Sequence, residues 1–596
     1  MCGIFGIVQP AAGLSELTEL GERANLLQAH RGPDQSGISG EDGWLLAHRR
    51  LSIFDVSSGG RQPFRGAGGL VLVFNGAIYN FPELRAELEA EGYTFTTRTD
   101  TEVLLSAYAA WGAGCFARFN GMWAVAILDP ARGELTLARD RIGIKPLYVY
   151  EEADRIAFAS ETKALRRTVG RGDEYNHEVV TDFLLHGWQD HRPETIWAGI
   201  AQFPAGCFST YDVRSLRRVR HGRYYEFPTE EASLTDREFK GGLGELFADS
   251  VRLRSRSDVG YGLTLSGGVD SSAIAGMLEE GRPTYSVRFP GTPYDESAYV
   301  DAVLRYRNLR NTSLTPEWED FARDVRACTL AQDQPLASSA VVVHYTMMEM
   351  IGAAGETVLL NGQGADEIGG GYDKFYLPYL KENLASSLIK GLSAGFWTVR
   401  NLRLGPDQVM NRIQRLTAPA APETFLAPAF SAQTRFSRQA DTDVRQTSIN
   451  LLSGVGLPNL LRHEDRNAMA HGIESRTPFL DYRLVDFMLA APVRFKVRHG
   501  IRKWGIREGL KDALAPEVYA RKRKLGFATP QTQWMSGQPD FFLGAIRRYA
   551  AQPDALLTAA AADFAKTVLR KKQTRFYPMV WRWWAWSNFT ETIKTA

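Results

Sequence analysis

Two architectures in series are what this 596-residue sequence predicts: an α+β first part, then an α/β part whose C-terminal end is helical. Three observations predict it. Short runs of branched and aromatic residues dominate up to Ala159 and come in blocks. From Asp236 onward, apolar runs alternate with long stretches of helical spacing. Beyond about residue 375 helical patterns prevail.

The elements follow in order. Cys2–Val8, Leu45–Phe54, Leu70–Phe74, Trp123–Leu128, Leu135–Ala138 and Ile156–Ala159 read as strands, punctuated by Gly, Asn and Asp. Phe81–Glu91 reads as a helix because Leu84 and Leu88 lie four apart. Thr101–Trp111 is a second, with Val103, Leu104 and Ala107 on one face. Around Tyr211–Glu231 five arginines (214, 217, 218, 220 and 223) precede Pro228 and an acidic cluster, which predicts a solvated last hairpin and a linker rather than a nucleic-acid patch. Phe239, Leu243, Leu246, Phe247 and Val251 keep helical spacing. Gly260–Leu265 is the next strand, followed by a glycine loop and a helix from Ser271; Thr284–Phe289 and Thr357–Leu360 are further strands. Ala337–Ile351, interrupted by His344 and Glu349, reads as a buried helix, and the Ala- and Pro-rich Leu416–Phe430 as a loop. The tail with Trp581, Trp583, Trp584 and Trp586 reads as a packed last helix, with a homodimer contact as the alternative.

Composition narrows the function classes. Apolar residues make up 44% and charged residues 23%, an ordinary globular balance that excludes disorder as the main state. At about 100–200 residues per domain the length predicts two to four domains. A net charge of +2 gives no global field, so neither nucleic acid nor an anionic membrane is an expected partner. The four cysteines (Cys2, Cys115, Cys207, Cys328) form no C-x-x-C pair, so neither a disulfide framework nor a zinc site is signalled. No apolar run reaches about 18 residues and the first residues lack a signal-peptide layout, so a cytoplasmic location is expected.

Cys2 directly follows Met1. Removal of Met1 would put a thiol and an α-amine on one residue; such an amine has a pKa of roughly 7.7–8.0 and can serve as base for its own thiol. A thiolate attacking an amide needs donors for the oxyanion. Asn75-Gly76, after the strand Leu70–Phe74, supplies an amide side chain and an unhindered backbone N–H, although Asn-Gly alone is most often a hairpin turn. An amino-acid substrate also needs a cation for its carboxylate and an anion for its ammonium. Arg50 and Asp100 are available; alone they would be a surface charge and a cap for the helix beginning at Thr101.

The second centre is Leu265-Ser266-Gly267-Gly268-Val269-Asp270-Ser271-Ser272, between a strand and a helix. Its glycines allow a tight turn that presents N–H groups to phosphate oxygens, its serines add hydroxyl donors, and Asp270 can hold a magnesium ion. It lacks the lysine of a Walker A loop. Asn361-Gly362-Gln363-Gly364-Ala365-Asp366-Glu367 follows another strand, and one aspartate on each loop suits a magnesium–phosphate site. Leu461–Arg466 and Glu474–Asp481 read, from the residues alone, as an ion-paired amphipathic helix and a turn. Arg521–Phe527 is a basic run with Lys524.

CGIFGI, HRGPD (30–34), RLSIFD (50–55), FNGAIYN (74–80), RTDTE (98–102) and RDRIGIKPLY (139–148), in that order, resemble the glutaminase domain of class II glutamine amidotransferases. With SGGVDSS (266–272), which resembles the pyrophosphate loop of ATP pyrophosphatases, then G-x-G-x-D-E, E-x-R-x-P-F-L-D and basic-x-K-x-G-F, the chain resembles the glutamine-hydrolysing asparagine synthetase family over roughly residues 2–535. The resemblance implies an αββα N-terminal-nucleophile sandwich at 2–212, a linker at 213–235, and an ATP-pyrophosphatase domain at 236–596. It implies Cys2 as nucleophile, Asn75 and Gly76 as oxyanion hole, and Arg50 and Asp100 as the grip on glutamine. It implies an ATP site of Leu265 to Ser272 with Val287, Asn361 and Gly362, Mg2+ on Asp270 and Asp366, and Lys524 beside the adenylate. The implied activity is amidation of aspartate to asparagine through an acyl-adenylate, with release of AMP and pyrophosphate and passage of ammonia between the sites. Two places depart from the family pattern: Asp333-Gln334-Pro335 replaces a more acidic version seen in relatives, and Gln363 stands where well-known members carry an acid implicated in the ammonia step. Gln363 motivates a first alternative, the same chemistry on a sugar acid, peptide or secondary metabolite. A second alternative is a non-catalytic homologue that senses glutamine or nucleotide.

Overall fold

A computed structural model describes residues 2–402, 425–427, 441–521 and 526–595. Lys524 and almost all of the expected loop Leu416–Phe430 lie outside the described residues, as does Met1.

Twelve strands build the first half: β1 (Cys2–Val8), β2 (Gln35–Glu41), β3 (Trp44–Arg50), β4 (Phe64–Arg65), β5 (Val71–Ile78), β6 (Gly121–Asp129), β7 (Glu134–Arg139), β8 (Tyr148–Glu151), β9 (Ile156–Ala159), β10 (Ile200–Gln202), β11 (Cys207–Asp212) and β12 (Arg218–Arg223). They form two six-stranded sheets, ordered β10-β8-β9-β1-β3-β2 and β12-β11-β7-β6-β5-β4. Strand side chains alternate between faces, and both faces of each sheet are covered. Ile4 and Leu46 of the first sheet meet Val73, Ala126 and Leu137 of the second in a shared core. On the outer faces, Phe5 and Leu45 pack on Leu17, Ala24 and Leu165. Leu72, Phe74 and Val125 pack on Leu84, Leu88, Val103 and Leu104. Helix, sheet, sheet, helix is therefore the layering, as expected.

The second half holds a parallel sheet of β13 (Gly262–Thr264), β14 (Pro283–Val287), β15 (Arg310–Leu314), β16 (Val358–Leu360) and β17 (Glu474–Arg476), in the order β15-β14-β13-β16-β17. Helices then dominate to the end. The last, Tyr577–Lys594, buries Trp581, Trp583, Trp584 and Trp586 in a core that also takes in Val180 and Trp197 of the first half. The tryptophans pack within the chain, as the sequence reading favours. No helix among the described residues is long and apolar enough to cross a membrane.

Several element boundaries differ from expectation. The strand predicted to Phe54 ends at Arg50. The strand predicted to end at Phe74 runs on to Ile78, pairing Asn75 with Ala124 and Gly76 with Trp123, so Asn-Gly is not a turn here. The reason is contact: a Cβ on Gly76 would lie 2.1 Å from the Met122 carbonyl oxygen, which makes glycine the residue that fits mid-strand. The helix expected from Ser271 begins at Val269. Thr99 caps the helix Asp100–Trp111 by accepting from Thr101 N–H at 2.7 Å, so Asp100 is not the cap. Glu474–Arg476, read as part of a turn, is a fully buried strand. Its charges are tolerated because Arg476 Nε donates to Glu474 at 2.5 Å.

A buried charged seam joins the halves. Arg31, fully buried, donates through Nε to the Cys2 carbonyl (3.1 Å), and through NH1 to Glu161 (3.0 Å) and Asp465 (2.8 Å). Glu161 also pairs with Lys163 at 2.8 Å and Arg466 at 2.9 Å. Removing one member of such a buried set strands the others. Arg31→Met is expected to cost about 3–5 kcal/mol, read as a lowered thermal unfolding midpoint. An unchanged midpoint would mean the seam carries no stability.

Candidate functional site

The first candidate centre lies at the start of β1. Cys2 is buried, and burial raises its thiol pKa against the lowering effects of a hydrogen bond from Leu51 N–H and the positive charge of Arg50. Its backbone N–H donates to Asn75 Oδ1 at 3.1 Å, while Asn75 Nδ2 faces Ser160 Oγ at 3.4 Å. Strand register sets Arg50 opposite Cys2. The Arg50 guanidinium holds the following loop, donating to Ser57 O (2.7 Å), Phe54 O (3.1 Å) and Asp55 O (2.5 Å), and to Gln35 Oε1 (3.0 Å). Four of its five N–H groups are thereby engaged. Asp100 is buried and accepts from Ile78 N–H at 3.0 Å; burial pushes its pKa up to about 7. The structure brings Cys2 and Arg50, at strand ends, together with Asn75 from within β5, and sets Asp100 against the end of β5.

One of the resembling motifs, RDRIGIKPLY (139–148), is held as a scaffold. Arg139 donates to the carbonyls of Lys145, Gly143 and Phe203. The Asp140 carboxylate accepts from the N–H groups of Trp123, Ile142, Ile144 and Lys145. The loop is held from both sides, which aims the Lys145 ammonium at Asp465, 3.7 Å away.

The second centre is a cavity of about 440 Å3 at the C-terminal ends of β13, β14 and β16. Leu265, Ser266, Asp270, Ser271, Val287, Asn361, Gly362 and Asp366 line it. Gly267 has φ +65°, and a Cβ there would lie 2.8 Å from Val300 N, so the first loop turns on a residue without a side chain. Ser271 Oγ accepts from Ser266 N–H at 3.2 Å. Gly268 precedes the first turn of the helix Val269–Ala275 without capping it by a side chain, and the buried Ser272 hydroxyl has no hydrogen-bond partner. Gly362 lets the second loop touch the first: a Cβ on it would meet Asp270 Cβ at 2.8 Å.

Both candidate metal carboxylates converge on one cation. Lys503 Nζ lies 2.7 and 2.8 Å from the two Asp270 oxygens and 2.6 Å from Asp366 Oδ1. A pair of carboxylates that already share an ammonium fits a divalent ion with phosphate oxygens completing its shell. No cluster of three or more metal-ligating side chains occurs among the described residues.

Sequence reasoning missed Lys503. It follows a tight hairpin at His499-Gly500 and takes a left-handed conformation (φ +52°), and no motif marks it. It also read Leu461–Arg466 as an ion-paired helix without direction. The helix Leu457–Met469 is the wall between the centres: Glu464 lines the cavity, and the next residue, Asp465, holds Arg31 beside Cys2.

Comparison with known proteins adds two family models. One described as a glutamine amidotransferase domain matches residues 1–225, and one described as asparagine synthase matches residues 242–584. The chain is 29% identical over 569 residues to a glutamine-hydrolysing asparagine synthetase 1 of Bacillus subtilis (strain 168), covering 90% of this chain and 88% of that one. It is 30% identical over 403 residues to asparagine synthetase B of Escherichia coli (strain K12), covering 64% and 67%. It is also 26% identical over 613 residues to amidase chry2 of Gibberella zeae, covering 90% of each.

Proposed function

This chain belongs to the asparagine synthase family, and from that premise we propose that it uses glutamine nitrogen and ATP to convert aspartate to asparagine. Glutamine hydrolysis at Cys2 liberates ammonia, and at the second centre the aspartate side-chain carboxylate attacks the α-phosphorus of ATP. An O–P bond to AMP forms, the bond to pyrophosphate breaks, and the acyl-adenylate is left open to ammonia. The observation that carries this reading is the convergence of two loops, each bearing an aspartate, on one cavity, with a single helix, Leu457–Met469, linking that cavity through Asp465 and Arg31 to Cys2.

Each residue has a task in it. Cys2 attacks the glutamine amide, and Asn75 and Gly76 hold the oxyanion. Asp100 receives the glutamine ammonium, while Arg50 shapes the carboxylate-binding loop. Backbone N–H groups and hydroxyls of Leu265 to Ser272 cradle phosphates, and Val287, Asn361 and Gly362 enclose the nucleotide. Asp270 and Asp366 hold Mg2+, which when bound screens phosphate charge. Lys503, with Lys524, stabilises the negative charge that builds on the departing pyrophosphate.

Asp100 makes the glutamine site pH-dependent. Only the ionised carboxylate holds an ammonium, and burial holds its pKa at about 7. The KM for glutamine is therefore expected to fall as pH rises through about 7, by roughly tenfold per unit below it. Asp100→Asn should flatten that profile; a KM independent of pH in the unaltered protein would remove Asp100 from this role. The same group opposes folding as it ionises. Its folded pKa lies above the unfolded 3.8, so its stabilisation is full below 3.8 and is lost as pH rises through about 7.

A second reading, the same chemistry on another carboxylate, is favoured by Gln363, whose amide lines the cavity. Labelled glutamine with a panel of acids, scored by pyrophosphate release and product mass, decides between them. Aspartate giving labelled asparagine supports the first; silence with aspartate and turnover with another acid supports the second.

A further inference from the structure

Attack of ammonia on the adenylate leaves a positively charged nitrogen that must lose a proton before AMP departs. This inference rests on the function proposed above and names the group that takes that proton.

Four carboxylates line the cavity among its described residues: Asp270, Glu296, Asp366 and Glu464. Three face permanent cations. Asp270 and Asp366 share the Lys503 ammonium, and Glu296 pairs with the Arg521 guanidinium. Glu464 alone is held by groups other than lysine or arginine. Its Oε1 accepts from Asn361 Nδ2 at 3.1 Å and from Ser475 Oγ at 2.6 Å, and its Oε2 lies 3.3 Å from His344 Nε2.

The polarity of the bonds behind it is fixed from the far end. Arg462, paired to Asp190 of the first half at 2.7 Å, can only donate, and its NH1 gives Gln332 Oε1 a hydrogen bond at 2.7 Å. Gln332 Nε2 must then donate, to Asn467 Oδ1 at 2.8 Å. That leaves Asn467 Nδ2 to donate to Val341 O at 2.8 Å and to His344 Nδ1 at 3.0 Å. His344 Nδ1 is therefore an acceptor, its proton sits on Nε2, and Nε2–H points at Glu464. Three fixed donors hold the carboxylate, and the Gln363 side chain, lining the same cavity, approaches it and lowers its pKa. A carboxylate has about four lone-pair sites. Gln363 is half-buried on a loop, so an N–H of the attacking nitrogen can take over the site that it approaches.

We propose that Glu464 is the proton acceptor of the amidation step, held ready by His344, Asn361 and Ser475. The balance is simple. The nitrogen lone pair forms the C–N bond, the C–O bond to AMP breaks with its electron pair leaving on AMP, and one N–H proton passes to Glu464. Its place fits the direction of supply. Glu464 stands on the wall helix Leu457–Met469, whose next residue faces the Cys2 side.

The test is Glu464→Gln in the full-length enzyme, with aspartate, ATP and saturating ammonium chloride. Amide formation is expected to fall about 100-fold or more, while aspartate-dependent ATP–pyrophosphate exchange and glutaminase turnover stay within about threefold. Preserved glutaminase turnover shows that the wall helix is folded. Hydroxylamine, a less basic nucleophile whose adduct sheds its proton readily, should restore hydroxamate formation to the variant. Amidation that survives in Glu464→Gln overturns the proposal. So does exchange that falls in step with amidation, or hydroxamate formation that is lost as well. Failure of the unaltered enzyme to exchange pyrophosphate with aspartate is a different result: it removes the aspartate reading, and this inference with it.

Discussion

Cys2→Ala is expected to lower glutamine hydrolysis at least about a thousandfold, because no other group at the first centre can form the thioester. Ammonia-dependent amidation should persist within about twofold. On the proposed function the two halves of the chain do separable chemistry, and the substitution keeps the Cβ at the head of β1. The backbone bonds from Cys2 N–H to Asn75 and from Arg31 to Cys2 O involve no side-chain atom of Cys2, so they survive. Two measurements check this: glutamate release from glutamine, and product formed from ammonium chloride. Residual glutaminase above one-hundredth of the starting rate would displace Cys2 as nucleophile. Parallel loss of the ammonia reaction would mean that the thiol also supports the second centre.

Asp270→Asn is expected to do the converse. Its carboxylate contacts Lys503 through both oxygens and is buried, so an amide in its place removes a charge where the dielectric is low. The phosphate site then loses one of its two anionic metal ligands, and the Lys503 ammonium turns to Asp366 alone. Acceptor-dependent ATP–pyrophosphate exchange should fall by about a hundredfold or more, and the Mg2+ concentration needed for half-maximal rate should rise. Glutaminase activity should stay near its starting level. Exchange retained with an unchanged Mg2+ requirement would remove Asp270 from metal binding. Asp366→Asn should act in the same direction but more weakly, since Asp366 is the more exposed of the pair.

How far the sequence reaches differs between the two centres. Loop chemistry is local, so it is legible: glycines that allow backbone contact at Gly267 and Gly362, and an aspartate following each glycine pair, mark the two loops of the second cavity within a few residues each. Long, two-sided apolar strands such as β1 and β6 are equally plain. Short, edge or polar strands are not. Glu474–Arg476 carries no apolar pattern, and it forms a strand because buried ion pairing and neighbours far along the chain make it one. Arg218–Arg223 pairs as an exposed edge strand, where side chains carry no burial signal.

The sequence by itself determined the order of the two architectures, the cysteine at the head of the first strand and the glycine loops of the second half, since strand alternation, helical spacing and turn residues act over a few positions. Only the tertiary structure decided that Lys503 joins Asp270 to Asp366, that Arg50 braces a loop, and that adjacent residues on one helix, Glu464 and Asp465, face different centres. Charges hundreds of residues apart become partners only when a core buries them together, and the pattern of one sequence records the burial far better than it records the pairing.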